Sequence, residues 1–72
     1  MDEYSRIVIE RYCMSHKSKK SGRLQILLNM SYDFGAAYPT DDDAIFLEKA
    51  IRSEKDEELK EALQDLDSFL FG

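Results

Sequence analysis

The chain has 72 residues, of which 43 % are hydrophobic and 35 % charged, and it carries a formal net charge of -5. This length leaves room for a single small domain, residues 1-72, and the composition excludes a disordered chain. One cysteine excludes an intramolecular disulfide and favours a reducing compartment. Because the acidic start lacks the apolar run of a signal peptide or anchor, we expect a cytoplasmic protein without membrane contact.

Charge is divided unevenly along the chain. Residues 1-32 carry three acids against six bases, a net of +3, whereas residues 33-72 carry twelve acids against four bases, a net of -8. The two halves therefore differ in the partners that they could attract.

The first half predicts a β-hairpin over residues 5-34. Residues 6-12 are rich in β-branched side chains, which favour a strand. Residues 24-34 alternate apolar and polar side chains, and only Leu27 breaks the period of two. Residues 16-22, polar and ending in glycine, suit the loop between them. A helix over residues 4-14 is the alternative, since Tyr4, Val8 and Tyr12 are four residues apart.

The second half predicts a linker over residues 35-39 and helices over 40-52 and 54-70. Thr40 followed by Asp43 fits a capping box, with the acids of the triplet in the first turn, where the helix dipole favours them. Ser53 and Asp56 repeat the cap pattern. The second helix has one apolar stripe, formed by Leu59, Ala62, Leu63, Leu66, Phe69 and Leu70.

The predicted fold is thus of the α+β class, an N-terminal β-hairpin followed by two C-terminal α-helices (ββαα). A two-stranded sheet is marginal by itself and leaves its edges open, so pairing of two sheets in a homodimer is a natural remedy.

No residues predict a catalytic, cofactor or metal site. As a calcium loop, the acidic triplet would need glycine at position six and glutamate at twelve, where Phe46 and Arg52 stand. Cys13 and His16 have the spacing of two zinc ligands, but the chain holds no further cysteine or histidine to complete a structural site. We therefore expect no enzyme.

Two charged segments are candidate binding surfaces. The acidic face of the last helix could occupy a basic surface of a partner protein, with carboxylates spaced roughly like backbone phosphates, or could serve only solubility; it comprises Glu54, Asp56, Glu57, Glu58, Glu61, Asp65 and Asp67. The basic hairpin loop could contact nucleic-acid phosphates, through Lys17, Lys19, Lys20 and Arg23.

The apolar C-terminus contributes a third candidate. Phe69 and Phe71 either dock on the hairpin or anchor a partner or a second copy. The leading hypothesis is a small acidic, non-enzymatic protein-binding module, an inhibitor or nucleic-acid mimic with the profile of viral host-directed proteins. The alternatives are a nucleic-acid-binding regulator and a structural subunit of a larger assembly.

Overall fold

A computed structural model describes residues 1-32 and 38-72 of the protein, and these ranges form four α-helices without a strand. They are α1 (Glu3–Ser15), α2 (Lys19–Tyr32), α3 (Asp41–Ser53) and α4 (Glu57–Phe71). The predicted α+β class and the ββαα order are therefore wrong. The end of the predicted hairpin and residues 35-37 of the predicted linker lie outside the described residues.

The alternative prediction for the N-terminus, a helix, is the one that the structure contains as α1. Its buried side chains are Ser5, Val8, Ile9 and Cys13, which recur three and four residues apart and so share one helix face. The intrinsic preference of Ile and Val for strands amounts to only about 1 kcal/mol on host scales. Burial of this face against other helices overrides that preference.

The alternation in residues 24-34 misled the strand prediction because α2 buries small polar residues together with leucines. Its inner face carries Ser21 and Ser31 beside Leu24, Leu27 and Leu28. The Ser31 hydroxyl donates to the Leu28 carbonyl oxygen at 2.6 Å, so this buried hydroxyl has its partner within the helix. Leu27, which broke the alternation, is fully buried, whereas Ile26 is 57 % exposed.

Residues 19-22, predicted as loop, form the first turn of α2. A reciprocal pair of serines caps this turn, because the Ser21 N–H donates to Ser18 Oγ at 3.2 Å and the Ser18 N–H donates to Ser21 Oγ at 2.9 Å. This is the geometry of a capping box with serine in both positions. Only residues 16-18 separate α1 from α2.

The capping box predicted for α3 is confirmed. Thr40 Oγ1 accepts from the Asp43 N–H at 3.2 Å, and Asp43 Oδ2 accepts from the Thr40 N–H at 2.9 Å. The cap predicted at Ser53 is wrong, because α3 continues through Ser53 and Asp56 caps α4 instead. The last helix accordingly begins at Glu57 rather than at residue 54.

One core joins all four helices, and α4 packs against each of the other three. The Asp2 N–H donates to Asp65, and Tyr4 donates to Glu58, so α1 and α4 run in opposite directions. The buried apolar residues are Val8, Ile9, Cys13, Leu24, Leu27, Leu28, Leu47, Ala50, Leu59, Ala62, Leu63 and Leu66. The reason given for a sheet-paired homodimer, open strand edges, has no counterpart in the described residues.

Candidate interaction surfaces

Two carboxylates of the predicted acidic face stabilise the fold locally. Glu54 lies between α3 and α4, where its Oε1 is 3.7 Å from Lys20 Nζ and its side chain is only 14 % exposed. Asp56 is the N-cap of α4, with its Oδ1 accepting from the N–H groups of Glu58 at 2.9 Å and Leu59 at 3.2 Å. Both side chains therefore already have partners within the protein.

Four other carboxylates lie along one side of α4, and two of them, Glu58 and Asp65, contact the start of α1. This acidic row consists of Glu57, Glu58, Glu61 and Asp65. Glu57, Glu61 and Asp65 follow one another four residues apart, and Glu58 stands three residues before Glu61, so all four lie within about 100° of arc on the helix. Glu58 accepts from the Tyr4 hydroxyl, and Asp65 Oδ2 accepts from the Asp2 N–H at 2.9 Å. Glu57 and Glu61 are exposed.

Asp67 does not belong to the acidic row. At about 100° per residue, it lies roughly 120° round the helix from Glu61, across the outward surface of α4. The seven predicted acidic residues therefore do not form one face, and the structure brings together only the four of the acidic row.

The outer surface of α1 carries residues that the sequence prediction missed. Tyr4, Ile7, Arg11 and Met14, here called the α1 row, are spaced three, four and three residues apart. Tyr4 is 55 % exposed, Ile7 39 % and Met14 74 %. The hydrogen bond from Tyr4 to Glu58 joins the α1 row to the acidic row. The strand assignment concealed this spacing, which reading residues 4-14 as a helix would have revealed.

The carboxylate of Glu58 also changes the acidity of Tyr4. Because the phenol donates to Glu58 and a phenolate beside that carboxylate would be repelled, the pKa of Tyr4 is raised above its ordinary value of 10.0. Tyr4 therefore remains a neutral hydrogen-bond donor between the two rows near neutral pH.

The four predicted nucleic-acid contacts do not form a free basic patch. Lys20 is paired with Glu54 and lies 5.7 Å above the Tyr12 ring. Arg23 Nη2 is 3.4 Å from Asp43 Oδ1, and its guanidinium lies 4.5 Å above the Phe46 ring. Lys17 and Lys19 are exposed and line an open groove of about 600 Å³ at the start of α2.

Cys13 and His16 are held apart by separate contacts. Cys13 is buried and its thiol donates to the Ser21 carbonyl oxygen at 3.4 Å, and desolvation raises the pKa of the thiol. The His16 ring stacks on Tyr12 with the ring centroids 4.3 Å apart. In the parts of the chain that the structure describes, no three metal-ligating side chains gather into a group.

Ser15 and His16 are neighbours, but their hydrogen bonds do not make a nucleophile and base. His16 Nδ1 is 3.0 Å from the Tyr12 carbonyl oxygen, which can only accept, so this nitrogen carries the proton. It therefore cannot accept from the Ser15 hydroxyl, 3.1 Å away, and that hydroxyl is 2.9 Å from the Arg11 carbonyl oxygen.

The aromatic C-terminus lies at the end of α4. Phe69 is partly buried, Phe71 is 37 % exposed, and Leu70 between them packs against the core. In the described residues, α1 and α2 stand where the hairpin was predicted, and Leu70 is the residue of this segment that packs against the helical core.

Comparisons of the chain with models of known families, with curated proteins and with solved structures give no significant match. Each helix in residues 1-32 and 38-72 is too short or too polar to cross a bilayer.

Proposed function

We propose that this protein is a non-enzymatic binding module that recognises a basic surface on a partner protein. The observation that carries the proposal is the acidic row, in which two exposed carboxylates, Glu57 and Glu61, are adjacent to Glu58 and Asp65. A net charge of -5 adds long-range attraction for a basic partner. Binding of this kind blocks the partner's surface from its other ligands, which is how such a module would inhibit.

Nucleic-acid mimicry is one form of this proposal. Carboxylates one helical turn apart are about 5 to 6 Å from each other, roughly the spacing of phosphates along a strand. A row of four covers only part of such a groove. The apolar side chains beside it favour a protein surface that offers apolar contacts as well as cations.

The test compares two charge reversals on exposed glutamates. The partner is first identified by affinity purification from the native cell and mass spectrometry, and its affinity is then measured by titration calorimetry. We expect Glu61→Lys to weaken binding about tenfold at low salt, since opposite charges at the interface are replaced by like charges.

Glu48→Lys is the matched control, because it makes the same charge change on α3, where Glu48 is exposed and pairs with Arg52 of the same helix. This variant should retain nearly full affinity. Equal losses in the two variants would show that only net charge matters and would contradict a specific role for the acidic row.

Direct binding of nucleic acid is the alternative function, favoured by the exposed Lys17 and Lys19. Lys20 and Arg23 are left unchanged in its test because they pair with Glu54 and Asp43. Tight binding of random-sequence duplex DNA at low salt, abolished by changing Lys17 and Lys19 to Ser, would overturn the proposal for a basic protein partner.

A further inference from the structure

The α1 row has the spacing of a helix-docking seam. Its residues stand three, four and three positions apart, the pattern that lets one helix receive the apolar side chains of another. Tyr4, Ile7 and Met14 supply exposed apolar surface, and Arg11 places one cation in the middle of the row. These side chains lie on the side of α1 away from its buried residues, and Tyr4 also donates to Glu58 of α4.

Carboxylates border the α1 row on both sides. Glu3 and Glu10 each precede a member of the row, and Glu10 Oε1 accepts from the Tyr32 hydroxyl at 2.7 Å, which places this border toward α2. On the opposite side, Glu58 accepts from Tyr4 and Glu61 is one turn further along α4. A ligand of this surface therefore meets an apolar centre, one positive charge and negative edges.

These charges argue against a second copy of the chain as the occupant. Two α1 rows packed antiparallel, with Tyr4 of one copy opposite Met14 of the other, would bring Glu10 of one copy near Glu10 of the other, and carboxylates so placed repel each other. Two rows packed parallel would bring the two Arg11 side chains together in the centre. Either arrangement opposes like charges.

We propose that the α1 row binds an amphipathic helix of another protein, with apolar residues at matching spacing, lysine or arginine along both edges and an acidic residue facing Arg11. This inference rests on the proposed function and specifies its partner. The acidic row of α4 contributes one charged edge of the site, and the apolar contacts of α1 contribute the selectivity for a helix that charge alone would not give.

The test uses two synthetic peptides of identical composition and charge. The first places leucines at the three-four spacing with lysines along both edges and one glutamate in the leucine row; the second distributes the same residues around the helix. We expect the first peptide to bind at least about tenfold more tightly in titration calorimetry, since only it can bury apolar surface against the α1 row. Equal affinities of the two peptides would overturn the inference.

Substitutions in the α1 row locate the binding. Ile7→Ser and Met14→Ser should each reduce the preference for the first peptide, whereas Ile26→Ser, which changes an exposed isoleucine on α2, should not. Circular dichroism tests whether each variant is folded. Because Met14 is 74 % exposed, we expect Met14→Ser to fold like the wild type. A preference unchanged in both row variants would contradict binding at α1.

Arg11→Glu supplies a charge exchange. It should weaken binding of the first peptide and restore it when the glutamate of that peptide is replaced by lysine. Loss without restoration would show that Arg11 does not face the ligand.

Two further outcomes separate this inference from related ideas. If both peptides bind equally and Glu61→Lys weakens both, the α1 row is not the site while the proposed function holds. If the wild-type chain sediments as a dimer and Ile7→Ser as a monomer, a second copy occupies the row and the inference is wrong.

Discussion

Individual side chains set where three of the four described helices begin. Thr40 and Asp43 satisfy each other's backbone N–H groups at the start of α3, Ser18 and Ser21 do so at α2, and Asp56 accepts two N–H groups at α4. The first N–H groups of a helix have no partners within it, so these oxygens decide the helix start. The acidic triplet therefore has a structural explanation without a bound cation.

Removal of the Thr40 hydroxyl should destabilise the protein. Thr40→Ala leaves the Asp43 N–H without its acceptor, and we expect the free energy of unfolding to fall by about 1 kcal/mol. Urea denaturation followed by circular dichroism measures the change. Thr40→Ser, which retains the hydroxyl, is the control and should cost much less; equal costs would show that the methyl group rather than the cap is responsible.

The carboxylate of Asp43 should make stability depend on acid. The Thr40 N–H lowers the pKa of Asp43 below its ordinary value of 3.8, and Arg23 acts in the same direction. A depressed folded-state pKa stabilises the fold above the unfolded pKa, and this contribution is lost as the pH falls from about 4 through the folded pKa. Asp43→Asn should therefore show a flatter decline in urea stability than the wild type over that acidic range.

At the scale of elements, the face that a helix buries need not consist of apolar residues alone. α2 buries two serines with three leucines and exposes Ile26 and Tyr32. The apolar and polar residues along its sequence therefore alternate as they would in a strand, although the residues that touch the core follow helical spacing. The serines fit because Ser31 donates to the carbonyl oxygen three residues earlier in the same helix.

Two alanine substitutions distinguish helix from strand in this segment. A strand with the observed alternation would bury Ile26 and expose Leu27, whereas α2 does the reverse. We expect Leu27→Ala to cost about 2 to 5 kcal/mol, because it leaves a cavity in the core. Such a loss is comparable with the whole stability of a domain this small, about 3 to 5 kcal/mol.

Ile26→Ala is the matched control for that loss. With 57 % of its side chain exposed, Ile26 should be replaced at a cost below about 1 kcal/mol, and alanine favours a helix. Thermal and urea unfolding of both variants gives the comparison. A larger loss of stability for Ile26→Ala than for Leu27→Ala would favour a strand in this segment and contradict the helix.

At the scale of the whole molecule, the oppositely charged halves of the sequence meet in the fold. Lys20 and Arg23 of the basic half pair with Glu54 and Asp43 of the acidic half, so α2 is joined electrostatically to the two ends of α3. Charges that looked available to ligands in the sequence are thereby used within the protein. Glu57, Glu61, Lys17 and Lys19 remain exposed on its surface.

A double-mutant cycle measures this pairing. Changing Lys20 and Glu54 to Ala, singly and together, should reveal a coupling of about 0.2 to 1 kcal/mol, since Lys20 is 37 % exposed and solvent screens the pair. The coupling should weaken in high salt. Zero coupling at low salt would show that Lys20 and Glu54 do not stabilise each other. Both residues would then again be candidates for contact with a partner, Lys20 on the basic surface and Glu54 on the acidic one.

The sequence predictions were accurate where they depended on interactions between residues close together in the chain. Caps and amphipathic stripes are local, so α3 and α4 lie close to the predicted 40-52 and 54-70, and the cap at Thr40 was located correctly. The α1 row could have been found only after residues 4-14 were recognised as helical. The division of the acidic residues depended on α1, since Asp2 and Tyr4 hold Asp65 and Glu58.

The sequence by itself therefore determined the charge balance, the start of α3 and the apolar stripe of α4, because these depend on residues a few positions apart. Only the tertiary structure decided that residues 3-15 and 19-32 are helical. The free energy of burying Val8, Ile9, Leu24, Leu27 and Leu28 in the core shared with the other helices exceeds the small local preference for strands. Packing also decided which charges pair with each other and which are left for other molecules. The pairs Lys20–Glu54 and Arg23–Asp43 join residues far apart in the chain.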